Sequence, residues 1–171
     1  TFMILGNICT RSCGFCNVQT GSPLPVDELE PFKVARSINI MGVKHAVITS
    51  VDRDDIKDGG SIIWAETVNA IRDLNPNTTI ETLIPDFKGE TDNIDRIIKV
   101  APEVVSHNLE TVRRLTKEVR IQAKYDRSLE VLKYLKESGI SRTKSGVMLG
   151  LGEKREEVLE TLDDLRRVGV D

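Results

Sequence analysis

Past Cys16 the sequence contains no cysteine, and no apolar run in its 171 residues approaches the roughly twenty that a helix needs to cross a bilayer. No basic, apolar, small-residue stretch resembles a secretory signal. Excess positive charge is missing too. The formal net charge is -3 and both signs are mixed along the chain, so there is no electrostatic footprint for nucleic acid. Low-complexity tracts, short repeats and composition breaks are absent, which leaves one domain over residues 1–171 as the economical reading. Hydrophobic (39%) and charged (30%) fractions exclude a disordered chain and fit an ordinary soluble protein with a substantial core. The cysteine count is only three, an odd number poorly suited to a disulfide framework. A reducing interior is therefore expected, the cytoplasm by default and a mitochondrion or plastid if the source is eukaryotic.

What is present alternates between short β-type runs and longer amphipathic stretches. Strands are predicted at Thr1–Gly6, His45–Ser50, Thr79–Ile84, Val104–Asn108 and Gly146–Gly150. Helices are predicted at Asp27–Met41, Ser61–Leu74, Asp92–Val100, Asp126–Ser138 and Glu153–Val168, with Gly42, Gly139 and Gly169 at helix stops. Strands interleaved with helices imply an α/β fold with a parallel sheet, because parallel neighbours need crossover connections. Periodicity alone leaves a doubly wound layer and a barrel both open. Thr1 leads straight into an apolar run, and Val168–Asp171 has the pattern of another strand beginning, so a fragment of a longer protein is expected.

In parallel β/α folds the loops after the strands share one rim, where ligands bind. After the first predicted strand comes Cys9-Thr-Arg-Ser-Cys13-Gly-Phe-Cys16; after the second, Ser50-Val-Asp-Arg-Asp-Asp55; around the fourth, His107-Asn-Leu-Glu110. Three thiolates on one short loop suit three irons of a 4Fe-4S cluster and leave the fourth iron open for a ligand that reacts. Structural zinc and ordinary buried or redox cysteines are the rival readings; zinc needs a fourth ligand, for which His107 is the histidine that could approach in space, and redox or buried cysteines do not require three at this spacing. Phe15, inside the triad, either anchors the loop in the core or shields a planar cofactor. Asn108 and Glu110 stand two apart, so in extended backbone they point the same way and can bond a diol. Asp52, Asp54 and Asp55 read as a charged turn ordered through Arg53, and His107 as a satisfied strand-end histidine.

Cys9, Cys13, Phe15 and Cys16 resemble, without departure, the hallmark of the radical S-adenosylmethionine superfamily. Gly146, Met148, Gly150 and Glu153 are similar to that family's adenine-side glycine motif, although a tight strand-to-helix turn accounts for the same residues. The resemblance implies a partial (β/α) barrel of roughly six strands, of which this chain stops near the sixth. It also implies a 4Fe-4S cluster on Cys9, Cys13 and Cys16, and S-adenosylmethionine cleaved to methionine and a 5'-deoxyadenosyl radical. Ser50 and Asp52 match the region that receives the methionine amino group, though the family's common Gly-Gly-Glu is absent there. Asn108 and Glu110 are matched to the ribose, Arg120 is a candidate for the methionine carboxylate, and Met148 lies near the adenine.

Within the superfamily the chain resembles lipoyl synthases, through Thr1–Gly6, Ile48–Asp55, Asp58-Gly-Gly60, Pro85-Asp-Phe87, His107–Thr111 and Thr143-Lys-Ser-Gly146. That likeness implies sulfur insertion at C6 and C8 of an octanoyl group on a carrier domain, either glycine cleavage H protein or the lipoyl domain of a dehydrogenase E2 component. It also implies an electron donor such as flavodoxin or ferredoxin, and a second, auxiliary 4Fe-4S cluster whose ligands lie outside this chain. Biotin-synthase-like chemistry on a small molecule and a non-catalytic metal-binding module are the alternatives.

Overall fold

The computed structural model describes residues 1–171. In chain order its elements are β1 (Phe2–Ile4), β2 (Ile8–Cys9), β3 (Gln19–Thr20), α1 (Glu30–Met41), β4 (His45–Ser50), α2 (Ser61–Leu74), β5 (Thr79–Leu83), α3 (Thr91–Val100), β6 (Val104–Ser106), α4 (Thr116–Val119), α5 (Tyr125–Glu137), β7 (Thr143–Lys144) and α6 (Arg155–Arg167). Five strands form one parallel sheet in the order β1-β4-β5-β6-β7, with β2 and β3 paired separately. The order never reverses. Right-handed crossovers that always step the same way put every helix on the same face, which is the geometry of an open barrel and not of a doubly wound sheet.

The register makes the two faces explicit. Phe2, Ile48, Thr82, Val105 and Thr143 form one row across all five strands, and Met3, Thr49, Leu83, Ser106 and Lys144 form the next. Successive side chains on a strand point to opposite faces. The first row turns toward the helices, where Ile48 and Val105 join the main core with Ile38 of α1, Trp64 and Ile71 of α2, and Ile94 and Ile97 of α3. The second row turns inward, and its Met3, Thr49 and Leu83 line a cavity. Deeper on this inner face Glu81 accepts from Ser106 Oγ (2.9 Å) and Lys144 Nζ (2.7 Å).

Helix ends follow local chemistry. Pro31 opens α1, where its missing N–H costs nothing, and Gly42 closes it at φ 61° with its N–H on the last carbonyls. Gly60 precedes α2 at φ 85°, and a Cβ there would overlap the Leu5 side chain. Gly60→Ala is expected to cost about 1–3 kcal/mol from overpacking in a left-handed conformation. A urea unfolding midpoint measures it; an unchanged midpoint would contradict the tight Leu5 contact.

Several predicted boundaries move. The fifth parallel strand is Thr143–Lys144 and not Gly146–Gly150, because the apolar run beyond Gly146 leaves the sheet and keeps one bridge, Val147 to Glu110. Helix α1 begins three residues after Asp27, whose carboxylate caps a turn by accepting from Leu29 N–H at 3.0 Å. At the far edge, Asp171 N–H donates to Thr143 carbonyl (3.3 Å) and the Asp171 carboxylate accepts from Thr143 N–H (2.9 Å), so the last residue lies beside β7. No helix is long and apolar enough to cross a membrane.

Candidate cluster and cofactor site

The loops after the parallel strands meet around a cavity of about 300 Å³. Cys9, Cys13, Phe15, Cys16, Ser50, Asp52, Asn108, Glu110 and Arg120 all line it; Met148 does not. Met148 is instead half-buried, its N–H donating to Glu110 carbonyl at 2.9 Å. Nine of the ten residues singled out from sequence thus reach one space although they come from four separate segments.

The cysteine loop is held by backbone. Gly14 N–H donates to Val119 carbonyl (2.9 Å), Cys16 N–H to Cys13 carbonyl (3.0 Å), and Cys13 forms an antiparallel bridge with Arg120. This makes the short helix α4, too brief to show as periodicity, the wall on which the loop rests. All three cysteines are free thiols. Burial raises the Cys9 thiol above its ordinary value, and burial, opposed by Arg120, lifts Cys13 to about 11. Both are therefore protonated near neutral pH until an electrophile displaces the proton. Phe15 is 38% exposed and belongs to neither core cluster, so it does not anchor the loop in the interior.

No three His, Cys, Asp or Glu side chains approach one point closely enough to share a single ion. The three thiols line one cavity, as three ligands to separate irons of a cluster must. His107 is no fourth ligand. Its Nδ1 donates to Ile84 carbonyl at 2.9 Å, so Nε2 accepts from Ser128 Oγ, also at 2.9 Å, and burial holds the ring pKa down to about 4. It is the satisfied strand-end histidine that its position suggests.

The other wall carries unmet polar capacity. Ser50 Oγ is buried without a hydrogen-bond partner. Arg120, 8% exposed, donates from Nη1 to Leu109 carbonyl (3.0 Å) and pairs with no carboxylate. Burial pushes the Asp52 carboxyl up to about 6, against the pull of Arg11. Asn108 Nδ2 donates to Glu110 Oε1 at 3.1 Å, which aims the two side chains together. They do so without the extended backbone expected of them: Glu110 stands at φ 64°, fixed by its N–H on Gly146 carbonyl at 2.9 Å. Gly146 also lets Asn108 in, since a Cβ would lie 3.0 Å from Asn108 Oδ1. A buried free guanidinium, a partnerless hydroxyl, a carboxylate and an amide–carboxylate pair together can hold a ligand that carries an ammonium, a carboxylate and a diol.

The acidic turn is organised differently from its sequence reading. Of the three aspartates Arg53 pairs only with Asp55, through Nε and Nη2 at 2.9 Å each, while its Nη1 donates to Leu5 carbonyl (3.4 Å). Asp52 and Asp54 belong to Arg11, which sequence reasoning passed over. The Gly150 turn is closed by the Glu153 carboxylate, which accepts from the Gly150 N–H and from Leu151 N–H (2.9 Å).

Residues 3–165 match the Radical SAM superfamily. Over all 171 residues the chain is 75% identical to lipoyl synthase of Christiangramia forsetii, covering 58% of that protein. It is 76% identical, again over its whole length, to the mitochondrial lipoyl synthase of Nematostella vectensis, covering 59%. The chain therefore spans under two thirds of the curated relatives it matches. Among solved structures, methylornithine synthase superposes with TM-score 0.76 at 14% identity, over 99% of this chain and 50% of that one. Streptococcus suis SuiB bound to S-adenosylmethionine gives 0.72 at 18% identity, over 99% and 38%. These two likenesses are of fold.

Proposed function

The chain belongs to the radical S-adenosylmethionine superfamily, and from that premise we propose that residues 1–171 are the radical-generating core domain of a lipoyl synthase. One observation carries the reading: three thiols and the polar set Ser50, Asp52, Asn108, Glu110 and Arg120 line a single cavity in a chain 75% identical to a lipoyl synthase. Cys9, Cys13 and Cys16 would hold a 4Fe-4S cluster. When bound, the cluster supplies the electron that cleaves S-adenosylmethionine into methionine and a 5'-deoxyadenosyl radical.

The protein's own residues orient and shield. Arg120 takes the methionine carboxylate, since a buried guanidinium without a carboxylate is a ready partner for one. Asp52 and the Ser50 hydroxyl receive the amino group. Asn108 and Glu110 bond the ribose diol, and Phe15 covers the cluster side. Met148 contributes through its backbone, which pins Glu110, and not through contact with the cavity. An unactivated C–H bond offers an acid or base nothing to grip, so the hard step falls to the cofactor while Met3, Val51, Leu83 and Ile84 keep the chamber apolar.

The substrate is an octanoyl group on glycine cleavage H protein or on a dehydrogenase E2 lipoyl domain, sulfurated at C6 and C8, with flavodoxin or ferredoxin as electron donor. All three cysteines are committed to one cluster, so a sulfur-donating auxiliary cluster draws on residues outside this chain. Iron–sulfur chemistry suits a reducing compartment, the cytoplasm or, in a eukaryote, a mitochondrion or plastid.

To test this, the full-length protein is reconstituted anaerobically and given octanoylated carrier or dethiobiotin. Lipoyl product is expected; dethiobiotin turnover without it would overturn the choice. Gly146→Ala, which crowds Asn108, is expected to weaken S-adenosylmethionine binding about tenfold, some 1.4 kcal/mol. Equilibrium binding to the cluster-loaded protein measures it, and unchanged affinity would remove Asn108 from the ribose site.

A further inference from the structure

Arg11 sits between the first two cysteines, yet it is 5% exposed and points away from solvent. Its Nε and Nη2 grip both oxygens of Asp54 at 2.7 and 2.9 Å, and Nη2 also donates to Asp86 Oδ1 at 2.8 Å. Nη1 lies 3.3 Å from Asp52 Oδ1, the one ion pair that Asp52 makes. Asp86 is itself held by Arg127 of α5, at 2.8 Å from Nε. A single guanidinium thus ties the cysteine loop to the turn after β4, the turn after β5 and, through Asp86, to a helix.

The backbone of the same residue acts on sulfur. Arg11 N–H points at Cys9 Sγ (3.4 Å), and the Asp52 N–H joins it from the opposite segment (3.3 Å). Three carboxylates, Asp52, Asp54 and Asp86, are matched by three cations, Arg11, Arg127 and Lys88, the last 3.8 Å from Asp54. Without Arg11 these carboxylates keep Arg127 and Lys88 as direct partners, the surroundings of Cys9 lose one positive charge, and the Asp52 side chain beside it loses its one ion pair. Cluster potentials follow local charge and hydrogen bonds to the sulfurs, and added negative charge disfavours taking up an electron.

We infer that Arg11 is a positioning residue for the radical-generating cluster: its fork sets the cysteine loop in cluster-ready shape before metal arrives, and its charge keeps the cluster reducible. This rests on the reading of Cys9, Cys13 and Cys16 as cluster ligands. It assigns to the motif a residue that touches neither iron nor substrate. Other loop anchors, such as Gly14 N–H on Val119 carbonyl, Thr10 Oγ1 on Asp52 carbonyl (2.9 Å) and Ser12 N–H on Gln122 Oε1 (3.3 Å), carry no charge.

The test uses the full-length protein with Arg11→Met, Arg11→Lys and the double variant Arg11→Met/Asp52→Asn. Iron content, midpoint potential without S-adenosylmethionine, and hydrogen exchange over residues 9–16 of the metal-free protein are measured. Arg11→Met is expected to lower the reduced-to-oxidised ratio at fixed potential about tenfold, which is about 59 mV for a one-electron couple. Arg11→Lys should hold the wild-type potential while loop exchange quickens, because it keeps charge and loses the fork. The double variant should recover the ratio to within about threefold, since both charges go together. A purely structural residue would leave the potential where it was. Wild-type potential in cluster-bearing Arg11→Met, or wild-type loop exchange in metal-free Arg11→Met and Arg11→Lys, would overturn the inference. Should the wild-type protein itself bind no iron, the cluster reading fails instead, and the exchange data still decide the anchoring role.

Discussion

Cys13→Ala in the full-length protein is expected to abolish S-adenosylmethionine cleavage. Loss of a supporting contact around a metal site typically costs about 10- to 100-fold, and loss of a ligand should exceed that. The structure separates the chemical effect from a folding effect. Cys13 is held by its backbone, through the bridge to Arg120 and the bond from Cys16 N–H, and neither involves the thiol. Alanine therefore leaves the loop path intact while removing one sulfur. Iron and sulfide analysis after anaerobic reconstitution should show a depleted or labile cluster, with unfolding by urea little changed. Cleavage at the wild-type rate would remove Cys13 from the ligand set and with it the geometry proposed for the site.

Asp86→Ala is expected to be the most costly change to stability, about 3–5 kcal/mol, the usual consequence of removing one partner from a buried ion pair. Asp86 is fully buried. It accepts from Arg11, from Arg127 and from Lys88 N–H (3.0 Å), so its loss takes the buried acceptor from two guanidiniums and leaves a turn uncapped. Burial alone would raise its pKa; the hydrogen bond and charge of Arg11, with Arg127, outweigh burial and hold the carboxyl well below the ordinary 3.8. A depressed folded-state pKa means that stability from this group is complete above the unfolded value and is lost as pH falls below it. Wild-type protein should thus lose stability on acidification below about pH 4, and Asp86→Ala should lose less over the same span. Denaturant unfolding at several pH values measures both; a cost below about 1 kcal/mol would mean that the network is redundant.

Much of this was readable in the chain. Predicted helices lie within a few residues of α1, α2, α3, α5 and α6, because each carries a one-sided apolar pattern that the sheet then buries. The cysteine spacing pointed to its loop for a similar reason: the signal is local. What stayed hidden depends on distant partners. Arg11 meets Asp54 and Asp86 across 43 and 75 residues, and nothing in either neighbourhood announces the match. The last parallel strand was misplaced since Thr143–Lys144 is polar and brief, whereas the glycine-rich run after it has the apolar look of a strand. Asn108 and Glu110 converge as expected but by another route, a left-handed Glu110 bonded to Gly146. Alternation could not foresee that, because it depends on which segment lies alongside.

The paired rows across the sheet have a consequence for how this protein tolerates change. Along any one strand, neighbouring positions answer to different demands: Ile48 beside Thr49, Thr82 beside Leu83, Val105 beside Ser106. The first of each pair is sealed against helices, so its replacement is felt in every molecule that must fold. The second faces inward, and at Thr49 and Leu83, which help form the chamber, a replacement is free to reshape what fits inside at little cost to the shell. A drifting sequence can therefore retune the inner wall one residue at a time while the adjacent residue holds the architecture still.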